Sequence, residues 1–227
     1  MENRPDRYAW ADTPARTAFP VASAGYPYIF AGAFVTLVFA LLEWEAAAVL
    51  FLVVTALVIL FFRDPDRVVP AGEKLIVAPA DGRIVHLDVV EAPPFIEGPA
   101  LKVSIFMSVA NVHINRFPVG GTLLETHYHP GRFINASLDK ASEHNERNAL
   151  VIRTDEGPDI CVVQVAGLVA RRIISWPRPG DHLSRGQRFG LICFGSRVDC
   201  YLPPLAQPKV RLGDRVKGGT SVLGVMP

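Results

Sequence analysis

The sequence predicts a mainly β protein: a flattened β-sandwich body of the barrel-sandwich-hybrid type, carrying an N-terminal membrane helical hairpin. Three observations predict it. One stretch, Tyr28 to Phe62, is almost wholly apolar and holds only two charges, Glu43 and Glu45. Beyond Arg63-Asp64-Pro65-Asp66-Arg67, short apolar runs alternate with Gly, Pro and Asp, the texture of many short strands joined by turns. Within that body a turn recurs: Pro179-Gly180-Asp181-His-Leu-Ser-Arg-Gly186 and Leu212-Gly213-Asp214-Arg-Val-Lys-Gly218 place Gly, Asp and a hydrophobe alike and each close on a further Gly.

In chain order, residues 1–27 form an N-terminal segment and 28–62 the membrane hairpin. The two glutamates divide the hairpin into Tyr28–Leu42 and Ala46–Phe62, of 15 and 17 residues. As helices these reach about 22 and 25 Å, a little short of a bilayer core of about 30 Å. Spanning and dipping into one leaflet therefore both fit the lengths. The apolar run starts too late and is too long for a signal peptide. Neither half has the polar spacing of a core helix. Arg4, Arg7 and Arg16 precede the hairpin, Arg63 and Arg67 follow it, and its turn is acidic. The positive-inside rule then puts both ends, and the body, on the cytoplasmic side of the cell membrane.

Residues 63–227 are the β body. Strand-like runs include Leu75–Ala78, Arg83–Leu87, Leu101–Met107 and Cys161–Ala166, while Arg132–Asn148 is more polar and reads as a loop or short helix. The repeated turn has the hairpin grammar of biotinyl and lipoyl carriers. Neither copy has a lysine at its tip, so a carrier function is disfavoured. The formal net charge of +1 argues against a nucleic-acid binder that relies on a global positive field. Cys161, Cys193 and Cys200 are too few for a disulfide framework and lack zinc spacing. His127 and His129 alternate but have no third ligand in view, so no metal is expected.

Three places put polar groups where a packed strand would not. Asp81 lies in the turn Ala78-Pro79-Ala80-Asp81-Gly82 between two apolar runs. Asn111, His113 and Asn115 alternate along one strand face, opposite Val112, Ile114 and Arg116, as a polar pocket wall would. Gly195-Ser196 ends a buried-looking run, Gly-Leu-Ile-Cys-Phe-Gly-Ser. Most such pairs are turns, but glycine has no Cβ to shield its carbonyl, so Ser196 Oγ can attack Gly195 if the fold strains that bond. An amide-to-ester shift and elimination would then leave a pyruvoyl group, an electron sink for amino-acid chemistry. Arg171-Arg172 is a pair whose forked side chains suit lipid phosphate.

Taken together the chain resembles the phosphatidylserine decarboxylase proenzyme family, in its short form. The resemblance runs through the apolar hairpin, Phe62-Arg63-Asp64-Pro65, Pro79-Ala80-Asp81-Gly82, Asn111-Val-His113-Ile-Asn115-Arg116 and Asn145-Glu146-Arg147-Asn148. It continues through Ala166-Gly167-Leu-Val-Ala-Arg171-Arg172, Arg188-Phe-Gly190 and Phe194-Gly195-Ser196-Arg197-Val-Asp199. It implies self-cleavage into a β chain, 1–195, and an α chain, 196–227, whose first residue, from Ser196, becomes a covalent pyruvoyl cofactor. It further implies a Schiff base between that group and phosphatidylserine, release of carbon dioxide, and phosphatidylethanolamine as product. By the same likeness His113 is the general base and acid, Asp81 orients it, and Asn111, Asn115, Arg116, Arg171 and Arg172 bind substrate. Implied partners are the bilayer, the lipid substrate and the α/β heterodimer, with a higher homo-oligomer left open and no nucleic acid.

Two departures bear on roles. The longer members carry a His-x-x-His pair where this chain has His113 and Arg116, and they cleave within Leu-Gly-Ser-Thr where this chain has Phe-Gly-Ser-Arg. One histidine is therefore left to serve both maturation and turnover. Two rivals stand beside this reading: a pyruvoyl decarboxylase of a soluble amino acid, and a non-enzymatic membrane-tethered β-sandwich that binds a partner.

Overall fold

The computed structural model describes residues 21–131, 145–167, 172–193 and 195–227. They fall into two compact units: residues 21–66, and the described residues from Arg67 onward.

The first unit is a helical hairpin. After a single turn at Ser23–Gly25, α1 spans Tyr26–Leu41 and α2 spans Glu45–Phe61. Pro27 sits in the first turn of α1, where its missing N–H costs no helical bond. The connection is tighter than the sequence predicts. Glu43 adopts a left-handed φ of 61°, and Glu45 already belongs to the first turn of α2, where the helix dipole favours its charge. The helices meet where a Cβ on Gly32 would strike the Thr55 hydroxyl, and Phe39 stacks on Phe51 at 5.3 Å. Phe30, Phe34, Leu41, Leu50 and Leu57 face outward. A hairpin apolar on its outer faces has the pattern of a lipid-facing element. Ser23–Leu41, 19 residues, is long and apolar enough to cross a membrane.

The second unit is the β body. Its strands are β1 (Leu75–Val77), β2 (Gly82–Val90), β3 (Ala100–Met107), β4 (Ile114–Arg116), β5 (Gly121–His129), β6 (Arg147–Thr154) and β7 (Asp159–Ala166). They continue with β8 (Ile173–Ser175), β9 (His182–Leu183), β10 (Arg188–Ile192), β11 (Ser196–Leu202), β12 (Gln207–Pro208), β13 (Arg215–Val216) and β14 (Val222–Val225). An eight-stranded antiparallel sheet curls into a half-barrel in the order β13-β2-β3-β11-β7-β6-β5-β9. Two three-stranded sheets, β1-β14-β12 and β4-β10-β8, complete the body. The main core holds Ile84, Ile105, Leu150, Val162, Phe117 and Phe189, contributed by the large sheet and the smaller ones.

The recurring turns have a structural meaning. Gly180 and Gly213 take φ of 91° and 90°, and Asp181 and Asp214 each accept a hydrogen bond at 2.7 Å from the N–H of Arg178 or Arg211. Each turn then delivers a two-residue strand to one edge of the large sheet. Leu183 pairs with Gly121 on one edge, and Val216 pairs with Gly82 on the other. Two further bonds repeat: Leu123 N–H donates to Asp181 O and Ile84 N–H to Asp214 O, both at 2.9 Å. The body is thus an internal repeat, with β11 and β7 as its two central strands.

Candidate active site

Ser196 opens β11, the strand flanked by β3 and β7. Its Cα partners are Met107 on β3 and Ala166 on β7, and it is fully buried. Its Oγ has no hydrogen-bond partner among the described residues. A buried hydroxyl without a partner costs free energy, on the order of 1–3 kcal/mol. Gly195 before it takes φ of 63° with open space around a would-be Cβ, so backbone conformation rather than crowding favours glycine there. Phe194 lies outside the described residues.

His113 is almost fully buried, with Nδ1 2.9 Å from the carbonyl oxygen of Asn111. A carbonyl only accepts, so Nδ1 carries the proton, and in the neutral ring Nε2 is the basic nitrogen. The His113 carbonyl is 3.4 Å from the Ile192 N–H, on the strand that leads directly into Gly195. The backbone thereby brings His113 to the Gly195-Ser196 end of the body.

The other expected residues divide. Asp81 accepts from Arg67 at 2.8 Å and from the Gly218 N–H at 2.7 Å, and among the described residues it makes no hydrogen bond to His113. The group that fixes the imidazole tautomer is the Asn111 carbonyl. Asn111 spends its side chain on a turn, its Oδ1 accepting from the N–H and hydroxyl of Ser108. The alternating polar row is shorter than the sequence suggests, because β4 begins only at Ile114 and both its faces are buried. Arg116 is also buried, donating to the Gly186 carbonyl at 3.0 Å and passing over Gly219. Arg172 is exposed, its carbonyl accepting from Cys193, while Arg171 lies outside the described residues. His127 pairs with Glu125 at 2.7 Å and stacks on Phe95.

Asn115 does face the interior, and it leads to two residues that sequence reasoning missed. Asn148 donates to Gln164 Oε1 at 3.1 Å, Gln164 donates to Asn115 Oδ1 at 2.9 Å, and Asn115 points its Nδ2 at Met107 Sδ, 3.8 Å away. All three amides are buried. The chain of amides ends on the residue directly across from Ser196, and its last donor meets only a thioether, a weak acceptor. The signals in the sequence were Gln164, an amide inside the apolar run Cys161–Ala166, and Asn148, which closes the motif Asn145-Glu146-Arg147-Asn148.

On the opposite face of β11, Arg197 and Asp199 form a buried pair at 2.8 Å, with Lys102 3.9 Å from the carboxylate. Burial pushes the Cys161 thiol up to about 12 and raises Cys200 as well, so both stay neutral at physiological pH. Neither thiol is a nucleophile here.

Against known proteins, the family model for phosphatidylserine decarboxylase matches residues 54–224. A phosphatidylserine decarboxylase proenzyme of Geotalea uraniireducens is 47% identical over 208 residues, 92% of this chain and 97% of its own. The proenzyme of Nitrosomonas eutropha is 53% identical over 205 residues, 89% of this chain and 94% of its own. That of Geobacter sulfurreducens is 46% identical, over 92% of this chain and 97% of its own.

Proposed function

The chain belongs to the phosphatidylserine decarboxylase family, and from that premise we propose that it cleaves itself at Gly195–Ser196 and then decarboxylates phosphatidylserine to phosphatidylethanolamine. The observation that carries this reading is Ser196: a buried hydroxyl with no described partner, behind a left-handed glycine, at the head of a central strand.

In maturation, His113 Nε2 takes the Ser196 hydroxyl proton, its ring held by the Asn111 carbonyl. Ser196 Oγ attacks the Gly195 carbonyl carbon, and the amide becomes an ester once the proton passes to the departing Ser196 nitrogen. Loss of the Ser196 α-proton then expels the Gly195 carboxylate and leaves a dehydroalanine end. Water hydrolyses the corresponding imine to a pyruvoyl group and ammonia. Residue 196 suits such a group, because a ketoacid cap no longer carries the hydroxyl that this enclosed position leaves unbonded. Once formed, it supplies a conjugated carbonyl that condenses with the substrate amine and accepts the electron pair as carbon dioxide leaves. His113 is the group we assign to returning the proton.

Cleavage does not release the α chain. Residues 196–227 supply β11, which pairs on both sides, together with β13 on a sheet edge and β14 between β1 and β12. The mature enzyme is then an α/β heterodimer held by a shared core. Its substrate stays in a bilayer, and the apolar hairpin keeps the body at that surface, on the cytoplasmic side by the arginines that flank it.

Denaturing mass spectrometry tests the reading. Wild type should resolve into chains 1–195 and 196–227, the latter blocked at its N-terminus, and Ser196→Ala should stay whole and inactive. Splitting of Ser196→Ala at the same bond would sink the scheme.

A further inference from the structure

The amide chain behind Ser196 opens at its far end onto a cavity of about 260 Å³, lined by Thr126, Tyr128, Asn148, Ile173, Ser175 and Arg178 among others. Asn148, the first amide of the chain, is part of its wall. Ile173, in the same wall, is the register partner of Ile192, three residues before Gly195. The cavity therefore lies beside the strand that feeds the scissile bond. Asn148 sits two strands across and two residues along from Ser196, a Cα separation of about 12 Å at ordinary strand spacings.

Its polar groups share one preference. Ser175 Oγ is buried and has no hydrogen-bond partner among the described residues. The Arg178 side chain is exposed at the cavity, and among the described residues its guanidinium meets no carboxylate. Tyr128 contributes its ring, since its hydroxyl already donates to Glu146 at 3.1 Å. A free fork of N–H donors beside an unsatisfied hydroxyl fits a tetrahedral oxyanion.

We propose that this cavity binds the phosphodiester of the lipid substrate, with Arg178 and Ser175 as its ligands and the Asn148–Gln164–Asn115 chain joining it to the reaction centre. The proposal rests on the decarboxylase reading above and names a subsite for it. The phosphorus of a serine phospholipid is five bonds from the residue-196 carbon that takes the substrate amine, about 6 Å when extended. That leaves about 6 Å to the Asn148 Cα, in the wall that Arg178 shares.

The repeat provides a matched control. Arg211 occupies the same place in the other Arg-x-Gly-Asp turn, also donates its N–H to the turn aspartate, and lines no part of this cavity. The test measures Arg178→Ala, Arg178→Lys and Arg211→Ala on dihexanoyl phosphatidylserine, with phosphate-free O-octyl-serine as a competing ligand. Mass spectrometry first establishes that each variant is cleaved. Arg178→Ala should mature normally and raise KM about tenfold with kcat within about twofold. Its inhibition constant for O-octyl-serine should stay at the wild-type value. Arg178→Lys should recover part of the loss, Ser175→Ala should show a smaller rise in KM, and Arg211→Ala should match wild type. A wild-type KM for Arg178→Ala, or equal weakening of both ligands, overturns the proposal. Absence of phosphatidylserine turnover in the wild type would overturn it too, and is recognisable as failure of the decarboxylase reading itself.

Discussion

The two edges of the large sheet are built from the same four-residue turn, set in different surroundings. Arg178-Pro-Gly180-Asp181 and Arg211-Leu-Gly213-Asp214 close with the same aspartate bond at 2.7 Å and nearly the same glycine φ. Each edge strand also pairs with a strand-opening glycine, Gly121 in one half and Gly82 in the other. Local chemistry is thus duplicated. What differs is the company. The first turn faces Thr126, Asn148 and Ser175, while the second leads into Lys217-Gly218, whose N–H is tied to Asp81. One copy of the repeat lines a cavity, and the other is tied to the Asp81 turn through the Gly218 N–H.

Matched substitutions test how far the equivalence runs. The largest effect is expected at the strand-opening glycines, where a Cβ would strike the Phe106 carbonyl oxygen at Gly82 and the Arg153 carbonyl oxygen at Gly121. Gly82→Ala and Gly121→Ala should each cost about 3 kcal/mol in denaturant unfolding. A loss at only one of them would break the correspondence. Gln164→Leu comes next. It deprives Asn115 and Asn148 of their shared partner and should cost about 2 kcal/mol, with slowed turnover in the cleaved enzyme. Unchanged turnover would separate the amide chain from catalysis.

Smaller, paired effects follow at the turns. Gly180→Ala and Gly213→Ala keep space for a Cβ but force a left-handed alanine, about 1–2 kcal/mol each. Asp181→Ala and Asp214→Ala each remove one side-chain bond to an N–H, about 1 kcal/mol or less. If the two members of either pair diverge by more than the measurement error, surroundings rather than the turn set the cost.

The short-range features were legible in advance. Uniform apolarity interrupted at Glu43 and Glu45 determines a helical hairpin, and runs of apolar residues between Gly and Asp determine short strands and their turns. The recurrence of Gly-Asp at equal offsets marked the repeat, and the ordered motifs marked the family. These depend on periodicity, on φ and on residues a few positions apart, so they are written in the chain itself.

Partnership across the fold was not. Asp81 was expected beside His113, but its carboxylate is taken by Arg67, 14 residues away, and by Gly218, 137 residues away. Asn115 was visible as a polar face residue, while its link to Gln164, 49 residues on, depends on how β4 lies over β7. The sequence by itself determined the elements, the turn that repeats and the Gly195-Ser196 pair that we propose is cut. Only tertiary structure decided that Ser196 heads a central, two-sided strand, that three amides line up behind it, and that one arginine of a matched pair faces a cavity. Strand register and the curl of the sheet choose which distant side chains meet, and no local pattern encodes that choice.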